Sequence, residues 1–345
     1  MTMMKKIFYG LFLTLFLTNC ASERKPDVER VNTVECSVIT DSIFSSMPGS
    51  IFAMDGYVYW EDAMGTENFI HVVDVKSGNE ICSFGNVGDG PDEFAYSLAS
   101  VSPSGNFFLN DPVKGMEHLY TIDGSCSYSM TTDRYGKNTS ITNLVHLDDE
   151  TVVNLTPGAE SLFCINSGEK TETGGKFPFT EKYENAYYLY QGKLAYNPEH
   201  NLLVYSCMGL PYIATYSWKN GKLSLENEII GEIEGSSQNG KFIIDKDDPV
   251  GGAMELALTR NYIVTLDRDV EVEGEKPESK LLRDFSTLPH SLYVYDYDLN
   301  LLKIINTEYC ILRICGDTRT DEIYAIVVDP EFSLMKINIS SLNNH

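Results

Sequence analysis

A turn followed by a short apolar strand recurs six times along this 345-residue chain, and that repeat limits the possible folds more than any other feature. It appears as Asp55-Gly56-Tyr57-Val58-Tyr59-Trp60 and as Ser104-Gly105-Asn106-Phe107-Phe108-Leu109. It returns around Glu150, Asn201, Asn261 and Glu322. With Gly56 and Gly105 as the first two markers, the steps are 49, 45, 51, 60 and 61 residues. Such steps suit one four-stranded propeller blade each, the usual repeats running about 40–50 residues. A second β-rich strand follows each copy and ends in a polar turn, as at 69–75 before Ser77-Gly78 and at 292–296. Beyond the first twenty residues no segment of useful length carries a helical period.

The two ends of the chain fit a ring. The sixth repeat supplies three strands, 311–315, 323–328 and 333–339, before His345. A spare strand at 33–40 precedes the first blade and is read as the outer strand of blade six. The expected fold is therefore all-β, a six-bladed β-propeller over 33–345 closed by an N-terminal strand. Ahead of it, Lys5 and Lys6 precede an apolar run at 7–18, shorter than the ~20 residues a spanning helix needs. That run has the length of a signal-peptide core. Leu17-Thr18-Asn19-Cys20 resembles the lipobox of bacterial lipoproteins, in which the cysteine becomes the lipidated first residue. The expected organisation is a signal peptide at 1–19, lipidated Cys20 with a flexible polar tether to 32, and then the propeller. The expected address is the cell envelope, with the lipid anchor in the outer membrane.

The linker after the first blade, Phe84-Gly85-Asn86-Val87-Gly88-Asp89-Gly90-Pro91-Asp92-Glu93-Phe94, adds a family resemblance. It resembles the Gly-rich connections of NHL and TolB-like six-bladed propellers. Its G-x-x-G-x-G-P-x-E-F spacing is similar to that of the BF3164-type propeller lipoproteins of Bacteroidota. The resemblance implies a fold and an envelope location, with no settled activity. Physically, the glycines permit positive φ in a tight loop and Pro91 fixes its exit. A phosphate cradle would need a helix opening after the glycines, and none follows.

Charge and cysteine usage narrow the partners. Without Lys5 and Lys6 the chain has 24 basic against 50 acidic residues, a net charge of −26. Such a surface repels nucleic acid and anionic headgroups, so nucleic acid is not an expected partner and the membrane is reached through the lipid alone. A monomer is expected. Seven cysteines beyond Cys20 form no C-x-x-C, which removes zinc-ribbon and thioredoxin-like chemistry. Most sit in apolar strands as small hydrophobes, and no pair is assigned. The chain has no G-x-S-x-G, H-E-x-x-H or Walker sequence. Asp296-Tyr297-Asp298 begins like a calcium loop but lacks its glycine and its final glutamate, and 245–248 reads as a solvated acidic loop. No catalytic residue, metal site or cofactor is expected.

Propeller geometry places the second-to-third-strand loops and the interblade linkers on one face around the axis. On that face Trp60, Asp111, Tyr212 and Arg268 are the candidate ligand-binding residues, together with a 22-residue charged insertion at 268–289. The leading expectation is a non-catalytic binding or scaffold lipoprotein that takes a glycan, a peptide or an envelope protein at this mouth. A metal-assisted polysaccharide lyase or hydrolase, and an envelope sensor for a membrane partner, are the alternatives. Fold alone does not choose among them.

Overall fold

The computed structural model describes residues 28–339 other than 33, 122–125, 133–142, 157, 159, 169, 180, 234, 245–250, 276 and 278–283. The expected signal peptide at 1–19, Cys20 and the acidic stretch 245–248 lie outside the described residues. Six antiparallel sheets follow one another along the chain. Their innermost strands are Pro48–Met54, Leu98–Val101, Asn143–His146, Gly192–Asn197, Glu255–Leu258 and Cys310–Gly316. Each packs beside the next, and the last beside the first, around a common axis. The fold is an all-β six-bladed propeller.

Strand chemistry follows from burial on both faces. A blade is sandwiched between two others, so alternate residues of one strand face opposite neighbours and both must be apolar. Phe107–Asp111 is buried throughout. Phe107 and Leu109 join the cluster shared with blade one, whereas Phe108 stacks on His146 of blade three with ring centroids 3.9 Å apart. Phe84 on Tyr120, at 4.1 Å, and Tyr59 on Phe107, at 4.9 Å, complete the joint between blades one and two.

Two steps of the repeat are long because something is added. Between blades four and five the linker carries a hairpin, Gly235–Gln238 with Lys241–Ile244. In blade five the insertion supplies a helical turn, Val270–Glu273, and a 3-10 turn, Phe285–Thr287.

At the N-terminus, Cys36–Thr40 lies antiparallel to Phe332–Asn338 on the outer side of blade six. The segment before it is less free than its polar composition suggests. Glu29–Val31 pairs in parallel with Leu301–Asn306 as a fifth strand of blade five. Arg30 holds it there through Asp269 and Glu271, at 2.9 Å each.

A disulfide joins Cys82, in the outer strand of blade one, to Cys126 of blade two, with Cα atoms 6.2 Å apart. No pairing was legible in the spacing, because the two lie 44 residues apart on different blades.

Candidate functional site

The inner strands start at the interblade linkers and end at the first turns, so each end of the axis has its own residues. At the linker end, charged side chains converge. Glu255 Oε1 is 3.0 Å from Lys193 Nζ and 2.9 Å from Arg313 Nη1. Arg313 Nε donates to the Gly49 carbonyl at 2.8 Å. Glu61, nearly fully buried, accepts from the Ser50 N–H at 3.1 Å and from the Ser97 hydroxyl. Burial pushes the Glu61 carboxyl above its usual range, against the lowering effect of the hydrogen bonds from Ser97 and Ser50 and of the nearby Lys193 and Arg313 charges. Gly49 makes room for it, since a Cβ there would stand 2.5 Å from Glu61 Oε2.

Blades one, four, five and six are thus tied across the axis by one charged lattice. Such a lattice contributes little net stability after desolvation, and perturbed carboxyls of this kind concentrate at functional sites. Tyr96, half exposed in the first linker, lies within the field of Glu61 and of Tyr187 in the linker between blades three and four. Among the described residues no group of three or more His, Cys, Asp or Glu is placed to hold a metal ion.

Beyond the lattice the axis opens into a cavity of about 390 Å³. Leu194 and Leu256, which follow Lys193 and Glu255 in their strands, line its inner end. First-turn residues such as Asp55, Ser104, Pro198 and Arg319 form its mouth. The cavity therefore faces away from the linker side.

The four side chains expected at the ligand face are engaged within the protein and are not brought together. Trp60 is 2 % exposed and stacks on His71 at 4.2 Å. Asp111 is fully buried, accepting from Ala95 N and Tyr96 N through one oxygen and from Val113 N and Lys114 N through the other. It shapes two loops. Tyr212 is 3 % exposed and donates to Glu228 at 3.0 Å. Arg268 contacts Glu273 at 3.1 Å and the Thr287 carbonyl at 2.7 Å.

The described parts of the charged insertion at 268–289 are engaged within the protein as well. The Glu273 side chain, wholly buried, accepts from Ser291 and from the His290 N–H, and Phe285 packs on Phe332 of blade six at 5.1 Å. The two described ends of the insertion are thus seated on blades five and six.

The Gly-rich linker is likewise a structural clasp. Glu93 accepts from Gly90 N at 2.8 Å, and a Cβ at Gly88 would stand 2.0 Å from its Oε2. Lys114 Nζ donates to the carbonyls of Gly88, Gly90 and Glu93 at 2.9, 3.0 and 2.6 Å. Of the three glycines it is Gly85 that takes a left-handed turn conformation, with φ 78°. Close approach to Glu93, more than turn geometry, explains the other two.

Sequence reasoning missed Lys193, Glu255, Arg313, Tyr96 and Tyr187. A signal existed for the first three: each is a charge inside an otherwise apolar first strand, in Gly-Lys-Leu-Ala, Met-Glu-Leu-Ala and Leu-Arg-Ile-Cys.

Beside the insertion, Asp267 has a carboxyl pushed up to about 6, by burial first and by the neighbouring Glu273 charge, against a hydrogen bond from the Arg268 N–H. A carboxyl raised on folding favours the native state below its unfolded value of about 3.9 and loses that contribution as pH rises through 6. Asp267→Asn is therefore expected to stabilise by on the order of 2 kcal/mol at pH 8 and by almost nothing at pH 4. Urea melts at both pH values check this, and an equal gain at both would refute it.

Comparison with known proteins agrees with this architecture. The TolB-like 6-blade propeller-like family matches residues 29–319. The chain belongs to that family. Among solved structures, a candidate exported protein from Bacteroides fragilis superposes with a TM-score of 0.53 at 10% identity, covering 90% of this chain and 98% of the other. Regucalcin, a calcium-binding protein from Agrobacterium tumefaciens, gives 0.51 at 10% identity, covering 90% and 95%. A gluconolactonase from Xanthomonas campestris gives 0.50 at 12%, covering 91% and 95%. At these identities the TolB-like chain shares their fold alone. No curated protein matches its sequence.

Proposed function

We propose that this TolB-like propeller is an envelope-anchored binding lipoprotein that engages a protein or peptide through its linker face. One observation carries the reading: the large apolar side chains left exposed gather on that face. Phe44, 87 % exposed, and Tyr188, 75 % exposed, stand in interblade linkers. Met64, Met208, Val270 and Val272 stand in second-to-third-strand loops. Tyr96 and Tyr187, in linkers, and Val113, in the second-to-third-strand loop of blade two, join them; the other exposed ones lie on outer strands or the added hairpin, and none lies in a described first-to-second-strand turn. An apolar ring around a polar centre on a soluble domain marks an interaction surface.

Aliphatic members favour a protein or peptide over a glycan, which would stack on aromatic rings and gain little from methionine or valine. Tyr96, near both Glu61 and Tyr187, supports a sugar as the second reading. The likeness to gluconolactonase and regucalcin keeps an enzymatic role possible, but at 10–12% identity it supplies no residue for one. Export is supported by the disulfide, a feature of oxidising compartments, and by the signal-like N-terminus with Cys20 as the lipidated residue.

The test is site-specific photo-crosslinking in the native envelope. A photoreactive side chain in place of Tyr188 or Met208 is expected to give discrete protein adducts, and one in place of Ser77 or His200, on the opposite face, none. Equal labelling from both faces sinks the reading. Absence of protein adducts, with glycan-array binding weakened by Tyr96→Ala, replaces it by the sugar reading.

A further inference from the structure

The other end of the axis carries features of a second site, independent of the linker face. Its cavity of about 390 Å³ falls within the usual range for small-molecule pockets, roughly 300–1,000 Å³. All six blades contribute to the wall, and small side chains at Ala53, Ala195 and Ala257 keep it open while Leu144 and Leu256 make it apolar. Each inner strand stands at the end of its sheet, so its unpaired edge turns backbone carbonyls and N–H groups toward the axis. The wall is thus mixed, apolar at these side chains and polar at Ser100, Ser102 and His146, with further acceptors along its backbone.

The mouth has a definite sign. Arg319 is shared between Asp317, at 3.1 Å, and Asp55. Its charge is more than offset by those two carboxylates; Asp321 stands in the same turn and Asp148 and Asp149 in the first turn of blade three, against Arg260 in that of blade five. The whole chain carries −24. A concave mouth of net negative charge, set in low-dielectric walls, concentrates cations.

We propose that this cavity binds a small organic cation, an amine on a compact apolar body, with the body against the alanine and leucine wall and the ammonium toward the acidic mouth and the backbone carbonyls. An anionic analogue of the same shape is excluded by the carboxylates, and a neutral one gains the wall alone.

Three probes of nearly one shape test this: tyramine, 4-ethylphenol and 3-(4-hydroxyphenyl)propionate. Each is titrated into the purified chain by calorimetry and ligand-observed NMR. Tyramine is expected to bind at least about tenfold more tightly than the propionate, with 4-ethylphenol between, and added salt should narrow the gap. Ala195→Phe, which fills the cavity, is expected to abolish binding of all three, and Ala257→Leu serves if the first variant melts early. Asp317→Asn should shrink the amine preference. Equal affinities, preference for the carboxylate, no tyramine binding at millimolar concentration, or binding that survives a folded cavity-filling variant each overturn the proposal. Tyr188→Ala on the opposite face leaves tyramine binding unchanged, so the two sites fail separately.

Discussion

Replacing Cys82 and Cys126 together by serine is expected to cost the propeller about 4 kcal/mol, the chain-entropy value for a closed loop of the 44 residues that separate them. For a domain of this size that corresponds to a fall in melting temperature of roughly 6 °C. The bridge ties the outer strand of blade one to blade two, next to the aromatic joint of Phe84 and Tyr120. The loss therefore comes mainly through the unfolded chain, which gains freedom, while the native aromatic contacts stay in place. Reductant should reproduce the shift in the wild-type chain and leave the double-serine variant untouched. The other described cysteines are free thiols, so a reductant response in that variant would point to a different bridge. No response in the wild type would mean that the bond does not form in solution.

The blade count was legible because the repeat is a packing requirement. Every blade must place a turn, a buried second strand and a third strand in the same order, and a strand buried on both sides has to read as a run such as Phe107-Phe108-Leu109. The site was less legible because sequence fixes which loop a residue occupies but not which way its side chain turns. Trp60 and Tyr212 sit at strand ends near the linker face, yet their rings point between blades, where apolar area is buried. Asp111 looked like a ligand carboxylate and is a turn-former, since a buried acid needs several N–H donors and four backbone amides meet it. The lattice of Glu61, Lys193, Glu255 and Arg313 depends on proximity across the axis between residues up to 252 positions apart, from Glu61 to Arg313, which no local pattern encodes. What local pattern did offer was the misfit of a charge in an apolar strand.

The role proposed for Cys36–Thr40, closing the ring by joining the two ends of the chain, predicts that its loss is severe. Deleting residues 33–40 removes the outer strand of blade six and uncovers Phe332–Asn338 along one edge. It also takes Val34, Cys36 and Ile39 out of the clusters against which they pack. At about 1–2 kcal/mol for each partly buried apolar side chain, and with the ladder bonds added, the cost is on the order of 5 kcal/mol. An open strand edge also templates association, so aggregation should accompany the lower melting temperature. Removing residues 21–27, a polar stretch, is expected to leave the melt unchanged. Arg30→Ala should fall between the two, because it releases Glu29–Val31 from Asp269 and Glu271 without opening blade six. Differential scanning calorimetry with light scattering ranks the three variants. If the 33–40 deletion melts with the wild type and stays monomeric, the ring is held by the contact between the innermost strands of blades six and one, and the terminal strand is an ornament on it.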